Sequence, residues 1–275
     1  MAAVSLSATE PRRHAAVEKL FRSGTIELAG HVARPRIAAG TTVPALVLAH
    51  GFPDVNQGGR LSARSFPELA DRIATEMGWM ALVFTFRGCG DSEGDFSMNG
   101  WRDDMLAACA FMREMPEVRD VWAGGFGSGG SMALCAAAID REIRGVAAMG
   151  AHADFDDWAT HPRRLLEYAR ETSIIRSAAF PTPFEPWARQ IREVSAVRAM
   201  RSLAPRPALI MHGSEDEVVP VLDSRVLADA HGSADVRIID GGGHQLRHDP
   251  RAVAVLLGWL DRQRARGSAA PVSIP

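Results

Sequence analysis

The segment 125–130 (GFGSGG) is the part of this sequence that points most directly to a particular chemistry. It follows the strand-like run 118–124 and opens an apolar helical pattern from residue 131. A strand, a sharp glycine-rich turn and a helix present one residue at the tip of the turn, where a nucleophilic serine can attack a bound substrate. The segment therefore predicts a nucleophile elbow.

The size of the neighbouring residues indicates which position is the tip. The turn is tight, so the residues two before and two after the nucleophile must be small. A nucleophile at position 127 would be flanked by Gly125 and Gly129. One at Ser128 would have Phe126 two residues before it, and that ring would crowd the turn. The pattern favours position 127, and Gly127 has no side chain that could attack a substrate.

Other polar segments follow predicted strands in the same way. They are residues 50–53 (HGFP), 86–94 (FRGCGDSEG), 212–220 (HGSEDEVVP) and 241–244 (GGGH). Open α/β sheets bind their ligands outside the carboxyl ends of the strands. These segments are therefore the candidates for a common site.

The elements that must position these segments alternate along the chain. A hairpin is predicted over 18–22 and 25–32, with strands over 43–49, 80–86, 118–124, 143–149, 208–212 and 236–240 and helices over 65–77, 103–115, 128–139, 222–231 and 250–264. Strands that alternate with helices predict a mostly parallel, doubly wound sheet with helices on both faces. The hairpin would supply antiparallel strands at one edge.

A long interruption separates the two halves of this pattern. It is rich in arginine, glutamate and proline and contains Trp158, Tyr168 and Trp187. It is typical of a small helical cap over the ligand-binding edge, the alternative being a helical excursion at the side of the core. The predicted organisation is a loose arm over 1–14, a core over 15–151 and 206–265, the cap over 152–205 and a flexible tail over 266–275.

In this order, the segments resemble those of the α/β-hydrolase superfamily, in its esterase and serine-aminopeptidase-like branch, over nearly the whole chain. The resemblance implies the α/β-hydrolase fold, with Asp216 orienting the general base His244. It also implies an oxyanion hole made by the backbone N–H groups of Phe52 and Ser128. The catalytic serine of the family falls on Gly127, so the resemblance implies an atypical triad. Loop 86–94 is mainly structural in the family.

Three functions fit these residues. The first is a small-molecule hydrolase of the ester or amide type, in which the His244–Asp216 dyad activates a water; the same dyad would also suit lyase or isomerase chemistry. The second is a non-catalytic pseudo-hydrolase that binds a small ligand under the cap. The third is a conventional carboxylesterase that uses Ser128 through a shifted elbow, although a small polar residue at a helix start is the favoured interpretation of Ser128.

Composition excludes several other classes. A net charge of −2 gives no basic surface for nucleic acid or for a membrane. The three cysteines, odd in number, predict reduced thiols. We also expect no leader peptide and no membrane span. Together these expectations predict a cytoplasmic protein. We expect no cofactor and no metal, since His248 lacks further ligands at matching spacing. The expected partner is a small molecule, and the oligomeric state stays open.

Overall fold

The computed structural model describes residues 18–56 and 58–268. Eight strands within this part of the chain form one sheet. The strands are β1 (Glu18–Ser23), β2 (Ile26–Ala33), β3 (Val43–Ala49), β4 (Met80–Phe84), β5 (Val118–Phe126), β6 (Ile143–Met149), β7 (Ala208–Gly213) and β8 (Asp235–Ile239). Their order is β1-β2-β4-β3-β5-β6-β7-β8. Strands β1 and β2 form an antiparallel hairpin, β2 also pairs antiparallel with β4, and all other neighbours are parallel. The predicted mostly parallel sheet with an antiparallel edge is confirmed.

Nine helices pack around this sheet in the described residues. They are α1 (Phe66–Arg72), α2 (Met98–Arg113), α3 (Ser128–Ile139), α4 (Asp156–Thr160), α5 (Pro162–Glu171), α6 (Phe184–Glu193), α7 (Ala196–Leu203), α8 (Leu222–His231) and α9 (Pro250–Ser268). A π-helical turn, Ile73–Met77, continues α1. None of these helices has the length and apolar character needed to cross a membrane.

The core lies in two layers, one on each face of the sheet. Helices α1 and α9 bury their apolar side chains on one face, and α2, α3, α7 and α8 bury theirs on the other. Because both faces are covered, every residue of β3 and of β4 is buried. This explains why the central strands read as continuous apolar runs in the sequence.

Helices α4 to α6 lie near the carboxyl end of β3. The ring of Phe52, in the loop after β3, packs against Trp158 of α4 and Tyr168 of α5. The distances between ring centroids are 4.9 Å and 5.8 Å. Trp187 of α6 donates a hydrogen bond to the carbonyl oxygen of Phe96 at 3.0 Å. Helix α7 packs instead against α3 and α8. The cap over 152–205 stays a prediction as a domain.

The ends of the chain limit what can be said of the predicted arm and tail. Residues 1–17 and 269–275 lie outside the described residues, so the arm over 1–14 is untested. Residues 266–268 belong to the last turn of α9.

Candidate active site

The turn between β5 and α3 is centred on Gly127, which has φ 55° and ψ −132°. L-residues rarely adopt a positive φ, whereas glycine does so without steric cost. A Cβ atom added to Gly125 would lie 2.4 Å from the carbonyl carbon of Gly129, and one added to Gly129 would lie 2.1 Å from the carbonyl oxygen of His50. The tight turn therefore requires glycine on both sides of position 127.

His244 and Asp216 meet beside this turn. The Nδ1 atom of His244 lies 2.9 Å from Oδ2 of Asp216. The other carboxylate oxygen accepts hydrogen bonds of 2.9 Å from the backbone N–H groups of Val218 and Val219. A Cβ atom added to Gly127 would lie 3.3 Å from Nε2 of His244. The histidine thus lies between the acid and the tip of the turn, so that Asp216 can orient a base that faces position 127.

The surroundings of Asp216 keep its carboxylate charged. Burial by itself would raise its pKa, but hydrogen bonds from His212, His244 and the N–H of Val219 outweigh burial and hold the pKa well below its usual range. An ionised Asp216 accepts the Nδ1–H of His244. In the neutral ring, Nε2 of His244 is then the acceptor nitrogen, and it faces position 127, as a general base requires.

His212 is a part of this site to which the sequence assigned no role. Its Nε2–H lies 3.2 Å from Oδ2 of Asp216 and 3.0 Å from the carbonyl oxygen of Val219. His212 is completely buried at the end of β7. Oδ2 of Asp216 is therefore held by two histidines, and the position of the carboxylate is set from both sides. A histidine at a strand end, four residues before the acid, was the available signal.

Two backbone N–H groups near the turn have no acceptor. The loop after β3 lies against the elbow, since a Cβ atom added to Gly51 would be 3.0 Å from the carbonyl oxygen of Phe126. Within the described residues, neither the N–H of Phe52 nor that of Ser128 donates a hydrogen bond to another protein group. Free donors at a helix start suit an anionic oxygen.

The side chain of Ser128 does not contact the base through a hydrogen bond. Its hydroxyl oxygen is buried and has no hydrogen-bond partner among the described residues. The next serine, Ser131, donates to the carbonyl oxygen of His152 at 2.9 Å. Neither hydroxyl is therefore bonded to Nε2 of His244.

A third histidine holds the loop that carries Phe52. His50 donates from Nδ1 to the carbonyl oxygen of Gly51 at 2.7 Å, and its Nε2 accepts the N–H of Phe86 at 3.1 Å. Burial lowers the pKa of His50 to about 4, so the ring is neutral. His50 thus ties the end of β3 to the segment after β4 and has a structural role.

Loop 86–94 is also held by structural contacts. Arg87 forms an ion pair with the fully buried Asp104 of α2, with 2.6 Å between Nη2 and Oδ1. Asp91 is exposed and forms no hydrogen bond with the described residues. Of these two polar side chains, Arg87 is the one that fixes the loop.

A cavity of about 670 Å³ opens beside His244. Its floor includes Ser128 and His152, and its outer wall is formed by side chains of α4 and α5, including Trp158 and Tyr168. Burial, together with the nearby His244, lowers the pKa of His152 to about 4, so this wall carries a neutral imidazole. A cavity of this size fits a small organic molecule.

A smaller cavity of about 60 Å³ also borders His244 and is lined by Gly127 and Arg247. Its volume suits one or two water molecules. Among the described residues, no three His, Cys, Asp or Glu side chains are grouped in a way that could hold a metal ion.

The comparison with protein families agrees with this geometry. The sequence model of the Alpha/beta hydrolase family matches residues 46–256. The chain belongs to the alpha/beta hydrolase family. The matched range includes the loop after β3, the turn at Gly127, Asp216 and His244.

The individual relatives of this family member are distant. It is 32% identical to the 2-hydroxymuconate semialdehyde hydrolase of Pseudomonas sp. (strain CF600) over 99 residues, 35% of this chain and 32% of that protein. It is 30% identical to the quorum-quenching protein AidA of Acinetobacter baumannii (strain MDR-ZJ06) over 124 residues, 42% of this chain and 38% of that one. The chain therefore spans about a third of the length of these curated relatives.

Solved structures show the same fold. The alpha/beta hydrolase GrgF from Penicillium sp. sh18 superimposes with a TM-score of 0.69 over 91% of this chain and 99% of that one, at 18% identity. At this level of identity the similarity concerns the architecture alone.

Proposed function

We propose that this hydrolase cleaves small ester- or amide-type substrates with a water molecule activated by His244, without a covalent acyl-enzyme. The observation that carries this proposal is the 3.3 Å between Nε2 of His244 and the position of a Cβ atom on Gly127. In a serine hydrolase the nucleophilic oxygen would occupy the space beyond that atom. Here Gly127 leaves the space open to water.

The reaction would proceed in a single addition and collapse. The carbonyl carbon of the substrate lies above Gly127, and its oxygen points to the free N–H groups of Phe52 and Ser128. Nε2 of His244 accepts a proton from the water as the water attacks, and then gives the proton to the leaving group. Asp216 stays ionised and stabilises the imidazolium formed in between.

The expected partner is a small molecule in the cavity of about 670 Å³ between the sheet edge and helices α4 and α5. Aromatic rings and two basic side chains, His161 and Arg164, line its outer part. We propose that residues 152–205 act as the cap that closes this cavity over a substrate. The name of one curated relative, 2-hydroxymuconate semialdehyde hydrolase, is consistent with such a substrate.

Two other functions remain as outcomes of the test. A pseudo-hydrolase would use the same cavity for binding alone. A conventional carboxylesterase would use Ser128, whose buried hydroxyl has no partner among the described residues and would have to turn towards His244.

The experiment compares hydrolysis of activated short-chain esters by the native chain and two variants. His244→Ala should abolish hydrolysis, and His248→Ala, a nearby histidine outside the dyad, should leave it unchanged. A rate that does not depend on His244 would refute the proposal and favour a binding protein.

A fluorophosphonate, which modifies activated serines, provides the second readout. We expect no labelling of the native chain, because no serine hydroxyl among the described residues is bonded to His244. Labelling at Ser128 would refute the water mechanism and identify a carboxylesterase.

A further inference from the structure

A cavity of about 130 Å³ lies at the opposite edge of the sheet from His244. Its wall is built from residues at the amino ends of the parallel strands, among them Trp79 just before β4 and Arg144 at the start of β6. The last turns of α9 close it with Gln263. Because these residues lie at the amino ends of the strands, the cavity is separate from the candidate active site.

The charged side chains around this cavity are mostly positive. They are four arginines and one acid, Arg119, Arg144, Arg264, Arg266 and Asp120. Both oxygens of Asp120 are engaged, one with Arg119 at 2.8 Å and the other with the indole N–H of Trp122 at 2.7 Å. Arg264 donates to the carbonyl oxygen of Met77.

Two of these arginines have no counter-charge. Arg144 and Arg266 form no ion pair or hydrogen bond with any residue in the described part of the chain. Guanidinium groups that converge on a concave surface, without a carboxylate to pair with, are typical of sites for phosphate or carboxylate groups.

Two buried donors on the same wall also lack acceptors. The indole N–H of Trp79 is completely buried, and the side-chain amide nitrogen of Gln263 belongs to a residue that is 3% exposed. Neither atom has a hydrogen-bond partner among the described residues. Native proteins leave few buried donors unsatisfied, and both of these residues line the cavity.

We propose that this cavity binds a small tetrahedral oxyanion, either inorganic phosphate or the phosphoryl group of a small metabolite. Such a group presents several acceptor oxygens and negative charge, and it would satisfy the donors of Trp79 and Gln263 while neutralising Arg144.

The test is a titration of the native chain with phosphate at constant ionic strength, with chloride as the reference salt. Trp79 and Trp122 line the cavity, with ring centroids 5.7 Å apart, so intrinsic fluorescence reports on occupancy and calorimetry measures affinity. We expect saturable binding of phosphate and none of chloride. Absence of saturable binding would overturn the proposal.

Variants separate this site from general attraction to a basic surface. Arg144→Met removes an exposed charge and should weaken phosphate binding about tenfold, the loss expected for one charge-assisted hydrogen bond. Gln263→Leu removes the buried donor at similar volume and should also weaken binding. Arg225→Met, an exposed arginine of α8 outside the cavity, should bind like the native chain. Equal affinity in all three variants would contradict the proposal.

Glycerol 3-phosphate identifies the source of the anion. Tighter binding than that of inorganic phosphate would assign the cavity to a phosphoryl group on a larger molecule, and weaker binding would assign it to free phosphate. Both results support an oxyanion site. Because His244 lies at the other edge of the sheet, loss of ester hydrolysis in His244→Ala leaves this result unaffected.

Discussion

Gly127→Ser should convert the chain into a serine hydrolase that forms a covalent intermediate. The Cβ atom of a serine at this position would lie 3.3 Å from Nε2 and 3.4 Å from Cε1 of His244. The imidazole would have to move back by a few tenths of an ångström, and the hydroxyl would then reach Nε2. The variant would place a nucleophile, a base and an acid in the order that acyl transfer requires.

The substitution at position 127 should lower the stability of the protein, because of the backbone conformation there. Gly127 has φ 55°, and a non-glycine residue held at such a sparsely populated conformation costs of order 1–3 kcal/mol. Urea denaturation should therefore show a lower free energy of unfolding by about that amount. Gly127→Ala is the matched control, because it has the same Cβ atom and backbone strain but no hydroxyl.

Labelling by a fluorophosphonate tests the chemistry separately from stability. Gly127→Ser should be labelled stoichiometrically, whereas Gly127→Ala and the double variant Gly127→Ser/His244→Ala should not. A folded Gly127→Ser protein that resists labelling would refute the reasoning, since it would mean that His244 and the free N–H groups are not in catalytic geometry.

Three further predictions concern the groups around the site. Burial lowers the pKa of His50 to about 4, so as the pH falls this histidine is protonated in the unfolded chain before it is protonated in the folded chain. The free energy of unfolding should therefore drop by roughly 3 kcal/mol between pH 6.5 and 4. Urea titrations of His50→Asn should show a smaller drop. Asp104→Ala leaves Arg87 unpaired and should lower the free energy of unfolding by about 3–5 kcal/mol, whereas Asp103→Ala, at an exposed neighbour, should change it little. Burial raises the pKa of each thiol to about 12, so iodoacetamide at neutral pH should modify cysteines only after unfolding; rapid modification of the folded chain would contradict the burial of Cys89, Cys109 and Cys135.

Local pattern was enough to predict most of the elements. Strands β3 and β6 and helices α3 and α8 have the bounds predicted for them, because a strand covered on both faces reads as an apolar run and a helix behind a glycine turn has a clear start. The main difference is α2, which begins at Met98 rather than at residue 103. Ser97 caps it by accepting the N–H of Gly100 at 3.2 Å, and a glycine in the first turn had weakened the helical pattern.

The order of the elements, the alpha/beta hydrolase fold and a glycine at the tip of the turn after β5 could therefore be predicted from the sequence by itself, since each depends on residues close together in the chain. Tertiary structure alone decided which side chains meet. The contact of His212 with Asp216, the distance from His244 to position 127, and the cavity that joins Trp79, Arg144 and Gln263 all arise from separate elements. Such contacts are set by how the sheet and its helices pack, and no local pattern records them.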